Sequence, residues 1–329
     1  MAELPNQSFY CQPSQDRRTT GWRVLSVLAG LTCAATAASC FARFEWLCEL
    51  TSHFRVQYAL ILGVSTVLFL LRRKTRLAMV SGLFALMNLC VIAPFYLDVG
   101  AIAAPDGPTV RALLANVAWN NTAYDTVRRL VVDEKPDVMV LPEVDAAWLE
   151  ALRPLEAAYP FSVVVRRPNG LGMVFYSRIP LEESSVGSID QTQLPLVIAR
   201  LRLDNQRLTI IGAHFSSPWT PSYAAFRNRQ LAEVARLIQR QSGPVVVLGD
   251  LNLTSWSPYF HEFLRATGLR DSRQGFGLQP SWPAWFPSPF RITIDHCLVS
   301  REVLVKNREL GPPIGSDHYP VLVEFTVGS

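Results

Sequence analysis

A chain of 329 residues that is 49% apolar, with positive mean hydropathy, is too long and too apolar for one ordinary water-soluble domain. Its net charge is +4, yet from Pro105 onward 22 basic residues stand against 22 acidic ones, so the later region lacks the diffuse basic footprint that holds long nucleic acid. Five of the six cysteines precede residue 105 and only Cys297 follows it, which excludes a disulfide within the later region and argues against a zinc site built on thiolates.

In chain order, residues 1–23 read as a basic cytoplasmic tail. Residues 24–97 hold three apolar runs, Val24 to Ala42, Phe54 to Leu71 and Leu77 to Leu97, each about the length that crosses a bilayer. We expect three transmembrane helices, since a cleaved signal peptide accounts for only the first run. Arg17, Arg18 and Arg23 precede the first run, and Arg72, Arg73, Lys74 and Arg76 separate the second from the third. Basic clusters stay cytoplasmic, so three crossings put everything after residue 97 outside. The expectation is a multi-pass protein of the inner (cytoplasmic) membrane with a periplasmic or otherwise extracytoplasmic C-terminal domain. A short Ala/Pro/Asp/Gly linker, 98–108, leads to a domain over 109–329.

Within that domain, short apolar strands alternate with amphipathic helices. RALLANVAWN reads as a strand ending at Asn116, and the stretch to Glu134 as a helix with Val127, Leu130 and Val131 on one face. DVMVLPEV is a buried strand carrying Glu143. SVVVRR, GMVFYSR, LVIARLRL and RLTIIGAHF follow as strands, the last ending at His214. A helix from about Ser222 to Gln241 closes at Ser242-Gly243-Pro244. VVVLGDLN delivers Asp250 and Asn252, and ITIDHCLVS and YPVLVEFTV complete the strands. The segment from Gln279 to Phe290, with four prolines and Trp282, Trp285, Phe286 and Phe290, reads as a loop.

Polar residues thus gather at strand ends. Singly, each has a bland explanation: Glu143 as a helix cap, Asn116 as a turn former, His214 as a core histidine satisfied by backbone. Together they supply what metal-assisted phosphoester hydrolysis needs, namely hard oxygen ligands for Mg2+ or Mn2+, a group to activate water and one to receive the leaving oxygen.

The order and flanks of these residues resemble the endonuclease/exonuclease/phosphatase superfamily, which includes DNase I-like nucleases, sphingomyelinases and inositol-polyphosphate 5-phosphatases. NVAWN, LPEV, FYSRIP, AHFSSP, GDLN, ITIDHCLVS and GSDHYPV carry the likeness between about residues 109 and 327. The chain looks like a membrane-anchored, bacterial-type member. The resemblance implies an α/β four-layered sandwich, two mostly antiparallel sheets flanked by helices. Periodicity alone gives only α/β or α+β.

The resemblance also implies roles. Glu143 with Asn116 would hold the main divalent cation, with Asp317 contributing directly or through water. Asp250 and Asn252 would position the attacking water and a phosphoryl oxygen. Asp295 would orient His318 as base or electrostatic stabiliser, and His214 would stabilise or protonate the departing oxygen. His296 stands where many relatives have an aromatic, and alternation along the strand favours packing over chemistry. Arg178, Trp282 and Trp285 are candidate substrate contacts, each weighed against a structural role: bracing a strand for Arg178, covering the core for the aromatic loop.

The expected activity is hydrolysis of a phosphoester, as phosphodiesterase or phosphatase, on a phospholipid or lipid-linked phosphate near the outer membrane face. A DNA or RNA nuclease and a non-catalytic membrane-tethered module are the alternatives. The expected partners are the substrate and the bilayer; the sequence identifies no protein partner.

Overall fold

The long uncharged runs are helical, a structure that satisfies backbone hydrogen bonds within a single segment. The computed structural model describes residues 15–97, 107–167, 171–189, 194–204 and 206–328, so the first part of the expected tail and most of the expected linker lie outside the described residues. The apolar part comprises α1 (Gln15–Ala38), α2 (Trp46–Ser52), α3 (Arg55–Leu71) and α4 (Thr75–Ile92).

Two helical stretches, Thr20–Phe41 and Thr75–Tyr96, are long and apolar enough to cross a membrane. The pair α2 and α3, bent by 67°, makes a third only if counted as one span. Three separate spans therefore reduce to two, or three with the bent pair. The difference is one of length: the 17 residues of α3 extend about 25 Å, at the lower limit for a hydrocarbon core of about 30 Å.

These helices pack through small and polar residues. Ala29, Leu62, Phe69, Ala78 and Ala85 form their buried cluster. Asn88 Nδ2 donates to Thr36 Oγ1 at 3.1 Å, and Thr66 and Ser81 hydroxyls meet at 2.8 Å, while Val24, Leu31, Val64, Val67 and Leu83 face outward. Hydroxyls and an amide thus meet between the helices, and apolar side chains face away from them.

The rest is a sandwich of two six-stranded sheets. One contains β1 (Thr109–Leu114), β2 (Val138–Val144), β3 (Phe161–Val165), β4 (Gly172–Ser177), β11 (Val303–Leu310) and β12 (Val321–Val327), ordered β11-β12-β1-β2-β4-β3. The other contains β5 (Leu181–Ile189), β6 (Leu194–Leu203), β7 (Gln206–His214), β8 (Val245–Asp250), β9 (Arg270–Asp271) and β10 (Asp295–Val299), ordered β5-β6-β7-β8-β10-β9. Each sheet is antiparallel apart from one parallel pair, β1 with β2 and β7 with β8. Between the sheets, Val140, Phe175, Ile210, Leu248, Cys297 and Phe325 belong to one buried core.

Helices cover both outer faces. On the first sheet lie α5 (Tyr124–Glu134), which buries Val127, Leu130 and Val131 at helical spacing, and α6 (Ala146–Leu152), whose N-cap Asp145 accepts from Trp148 N at 2.8 Å. On the second lie α7 (Pro221–Gln239), capped by Thr220, and α8 (Pro258–Thr267), capped by Ser257 and closed by left-handed Gly268. The sandwich is four-layered, as the motif resemblance implied. The strands β5, β9 and β11 and the helix α6 are additions to the sequence reading.

Candidate active site

Strand register alone assembles half of the site. The parallel pairing of β7 and β8 sets His214 opposite Asp250, and the antiparallel pairing of β8 and β10 sets Asp295 opposite the same residue. Three polar side chains thus stand abreast at one edge of the second sheet. Gly249 is required there, because a Cβ would lie 2.4 Å from the Ala213 carbonyl oxygen.

The first sheet brings the other half. Val117 N donates to Pro142 O at 3.2 Å, which holds Asn116, just past β1, beside Glu143 near the end of β2. Glu143 sits where the pairing of β2 with β4 slips, and its φ is +61°; Asn252 has φ +50°. Asparagine tolerates this left-handed region, but for a glutamate it costs about 1–3 kcal/mol, so the Glu143 side chain is held in place by its surroundings. Ser316 Oγ donates to Asn116 O at 2.7 Å and accepts from His318 N at 3.0 Å, tying the turn that carries Asp317 and His318 to the end of β1.

All eight motif residues meet. His318 Nδ1 lies 2.7 Å from Asp295 Oδ2, while its Nε2 is 3.7 Å from Asp250 Oδ2 and 3.9 Å from Asp317 Oδ1. His214 Nε2 is 3.7 Å from both Glu143 Oε1 and Asp250 Oδ2. Asn116 Nδ2 donates to Glu143 Oε1 at 2.9 Å and Asp250 Oδ2 at 3.2 Å, its oxygen accepting from Ala118 N. Asn252 N donates to Asp250 Oδ1 at 3.0 Å, and Asn252 Oδ1 accepts from Ser217 Oγ at 3.0 Å.

Burial and crowding of charge set the protonation. Burial, reinforced by neighbouring Asp295, pushes the Asp250 carboxyl up to about 8. Burial opposes charge on His318 too, but the Asp295 carboxylate outweighs it and pushes the imidazole up to about 10. Burial lowers His214. Among the described residues, every ion pair of Glu143, Asp250, Asp295 and Asp317 is with one of these two histidines. A concentration of carboxylate oxygen with so little cationic compensation has the donor chemistry of a hard divalent cation, and Glu143, His214 and Asp250 bring their ligand atoms within 4.8 Å of one another. Asn116 would join such a set only after its amide turns over, since its oxygen now faces Ala118.

The substrate candidates divide. Trp282 lines the cavity, and its Nε1 donates to Asp317 Oδ2 at 3.0 Å. Trp285, on the same loop, is 67% exposed and outside the cavity lining. Arg178 is a correction: it follows the end of β4 that pairs with Val138, remote from Glu143, and its guanidinium lies over the Tyr159 ring and donates to Lys135 O. It braces the sheet because the strand points it at the opposite rim. His296 also packs: it is buried 4.8 Å from the Phe260 ring with Nε2 beside Leu253 O, and burial lowers its pKa to about 4. The cavity, of about 490 Å³, has a further part of its lining that the motifs did not contain: Trp46, Leu50, His53 and Phe54 from around α2.

Comparison with known proteins fits this architecture. Residues 111–318 match the model of the Endonuclease/Exonuclease/phosphatase family. Among solved structures, TDP2 of D. rerio complexed with a single strand DNA product aligns over 67% of this chain and 99% of its own, at 19% identity and TM-score 0.56. The endonuclease/exonuclease/phosphatase from Bacteroides vulgatus aligns over 67% and 99%, at 20% identity and TM-score 0.57. UPF0294 protein VP2298 of Vibrio parahaemolyticus is 30% identical over 136 residues, 39% of this chain and 44% of that protein, so the match spans less than half of that relative. With a sandwich of phosphoester-hydrolase type and a family match across most of it, the chain belongs to the endonuclease/exonuclease/phosphatase family.

Proposed function

We propose that the protein is a divalent-cation-dependent phosphoester hydrolase, a phosphodiesterase or phosphatase, that works at the outer face of the cytoplasmic membrane on a phospholipid or lipid-linked phosphate. The observation that carries the chemistry is the Asp295–His318 pair at 2.7 Å, with the second imidazole nitrogen turned toward Asp250. Asp295 accepts from Nδ1 and fixes the ring, so that cationic His318 donates from Nε2 to a phosphoryl oxygen. Asp250, with its raised pKa, takes the proton of the attacking water, and Asn252 holds a phosphoryl oxygen. His214, kept neutral by burial, stabilises the departing oxygen. Glu143, Asp317 and a turned-over Asn116 would hold Mg2+ or Mn2+, which when bound neutralises charge on the phosphoryl group.

The membrane setting rests on placement. Arg72 and Lys74, between α3 and α4, lie 4.9 and 5.6 Å from the Trp22 ring near the start of α1. Both basic clusters therefore share one end of the helices, while α2 packs on the catalytic sandwich at the other, as expected of a chain with its basic end in the cytoplasm. Nucleic acid, found in the D. rerio TDP2 complex, suits a neutral domain less well, since counterion release drives such binding.

The test uses the full chain in detergent with bis-p-nitrophenyl phosphate and p-nitrophenyl phosphate, under Mg2+, Mn2+ or chelator. Turnover should require the cation and fall at least about a hundredfold in Asp250→Asn. Turnover that survives both chelator and that substitution would overturn the proposal. Reporter fusions after Thr51, Lys74 and Ser329 should read outside, inside and outside; a cytoplasmic C-terminus would refute the topology.

A further inference from the structure

We infer that α2, a part of the apolar N-terminal region, forms one wall of the catalytic cavity and that Trp46, Leu50 and Phe54 select phosphoesters carrying a long aliphatic chain. The inference rests on the hydrolase reading above and adds what recognises the substrate's other half.

The placement begins with helical spacing. Trp46 and Leu50 are four apart and share a face of α2, and with Phe54 they line the cavity that also contains Asp250 and His318. Glu49, on a different face of α2, is 1% exposed and accepts from Arg227 Nη2 at 2.6 and 2.7 Å and from Ser257 Oγ at 2.8 Å. Arg227, itself 0% exposed, also donates to Asn252 O at 3.2 Å. Trp46 Nε1 donates to Pro218 O at 2.9 Å, and His53 Nδ1 lies 2.9 Å from Thr254 Oγ1. The wall is therefore fastened to the loops on either side of Asn252, and a buried ion pair so completely hydrogen-bonded fixes position more than it adds stability.

The chemistry of the occupant follows from what surrounds the cavity. Its carboxylates, His318 and Asn252 suit the phosphoryl group, while the remainder, apart from Ser217 and His53, is aromatic and aliphatic. Phe54 of that remainder directly precedes α3, whose first turn is joined to the aromatic loop by Gln57 Nε2, which donates to Pro289 O at 2.9 Å and Arg291 O at 3.1 Å. Phe44, Trp219, Trp285 and Phe290 are all more than half exposed, and exposed aromatic side chains are the kind that favour a membrane–water interface. An acyl or alkyl chain can then run from the phosphoryl group along α2 into the bilayer without crossing water. The occupant is a bilayer lipid rather than a soluble phosphate.

The test compares two esters with one chromophore and one leaving group, methyl p-nitrophenyl phosphate and hexadecyl p-nitrophenyl phosphate, each in the same mixed micelles with the full-length protein. Wild type should prefer the hexadecyl ester. Leu50→Ala and Phe54→Ala should each lower kcat/KM for the hexadecyl ester about tenfold, mainly through KM, and leave the methyl ester within about twofold. An equal fall on both esters marks a merely structural wall and overturns the inference, as does an unchanged preference in both variants; the hydrolase reading survives either result. If wild type cleaves neither diester, the inference fails, while the hydrolase reading stands or falls separately with turnover of p-nitrophenyl phosphate.

Discussion

Two buried ionic centres lie on either side of Asn252, and they are built differently. At Glu49–Arg227, one carboxylate meets one guanidinium, both oxygens accept, and Ser257 adds a further donor. At Glu143, Asp250, Asp295 and His318, carboxylates crowd together with two histidines for company, His214 Nδ1 and Asp295 Oδ1 have no hydrogen-bond partner among the described residues, and Glu143 holds a left-handed backbone. Complete satisfaction locks an element in place, whereas unsatisfied polar atoms and like charges mark a site arranged for something it must receive. The two centres should therefore fail in opposite ways when mutated.

The largest effect is expected on the rate. His318→Ala and Asp295→Asn should each lower hydrolysis per folded molecule about a thousandfold or more, because each removes a preorganised group that has no substitute. A large stability loss without a rate loss in the folded fraction would make this centre structural and erase the contrast.

Arg227→Met should do the reverse. It leaves Glu49 buried without its partner, at a cost of about 3–5 kcal/mol, read from thermal unfolding of the full chain. The double variant Glu49→Leu with Arg227→Met should recover most of that loss, since two apolar groups of similar size leave no stranded charge. A double variant as unstable as the single would show that the ion pair itself stabilises the fold.

This contrast also explains what could be read from the sequence. The eight catalytic candidates were legible because they stand in motifs, mostly at or just past the ends of apolar strands, whose order resembles that of a known family, and strand register then brings His214, Asp250 and Asp295 together. The role of α2 was not legible. WLCELTS is seven residues in a loop of mixed charge, and the partner of Glu49 lies 178 positions away, a separation no local pattern encodes. The polar strand β5 was missed for a related reason: LEESSVGSI has no apolar alternation, because it is an edge held by pairing to β6 and by pairs such as Arg202–Glu182 at 3.2 Å. Arg178 was read on its motif, but residue type cannot tell which end of a strand faces the site.

A smaller effect tests the crowded carboxylates. Mn2+ at about a hundredfold above its Kd should stabilise the protein by about 2.7 kcal/mol, and Glu143→Gln should remove most of that gain. The sign with pH follows from Asp250, whose carboxyl is raised to about 8 by burial and by Asp295. Its contribution to metal-free stability is full below the unfolded value of about 4 and is lost as pH rises through about 8. Stabilisation by the cation should therefore be greater at about pH 9 than at about pH 6. Equal stabilisation at both would separate Asp250 from the cation.

The smallest effect distinguishes backbone strain that serves the site from strain that does not. Lys135 ends α5 in the left-handed region, at φ +47°, with its N–H bonded to Val131 O and its side chain exposed. Glycine takes that conformation without penalty, though it also loosens the unfolded chain, so Lys135→Gly should add about 0.5 kcal/mol and raise the thermal midpoint by about 1–2 °C. The Arg178 contact is to the Lys135 carbonyl and persists in the variant. Activity should be unchanged. Glu143→Gly relieves the same kind of strain, yet it deletes a carboxylate that faces His214 and Asn116, and activity should collapse. If both glycines were equally silent in hydrolysis, the left-handed Glu143 would be a turn like the one at Lys135 and the cation site would have to be placed elsewhere.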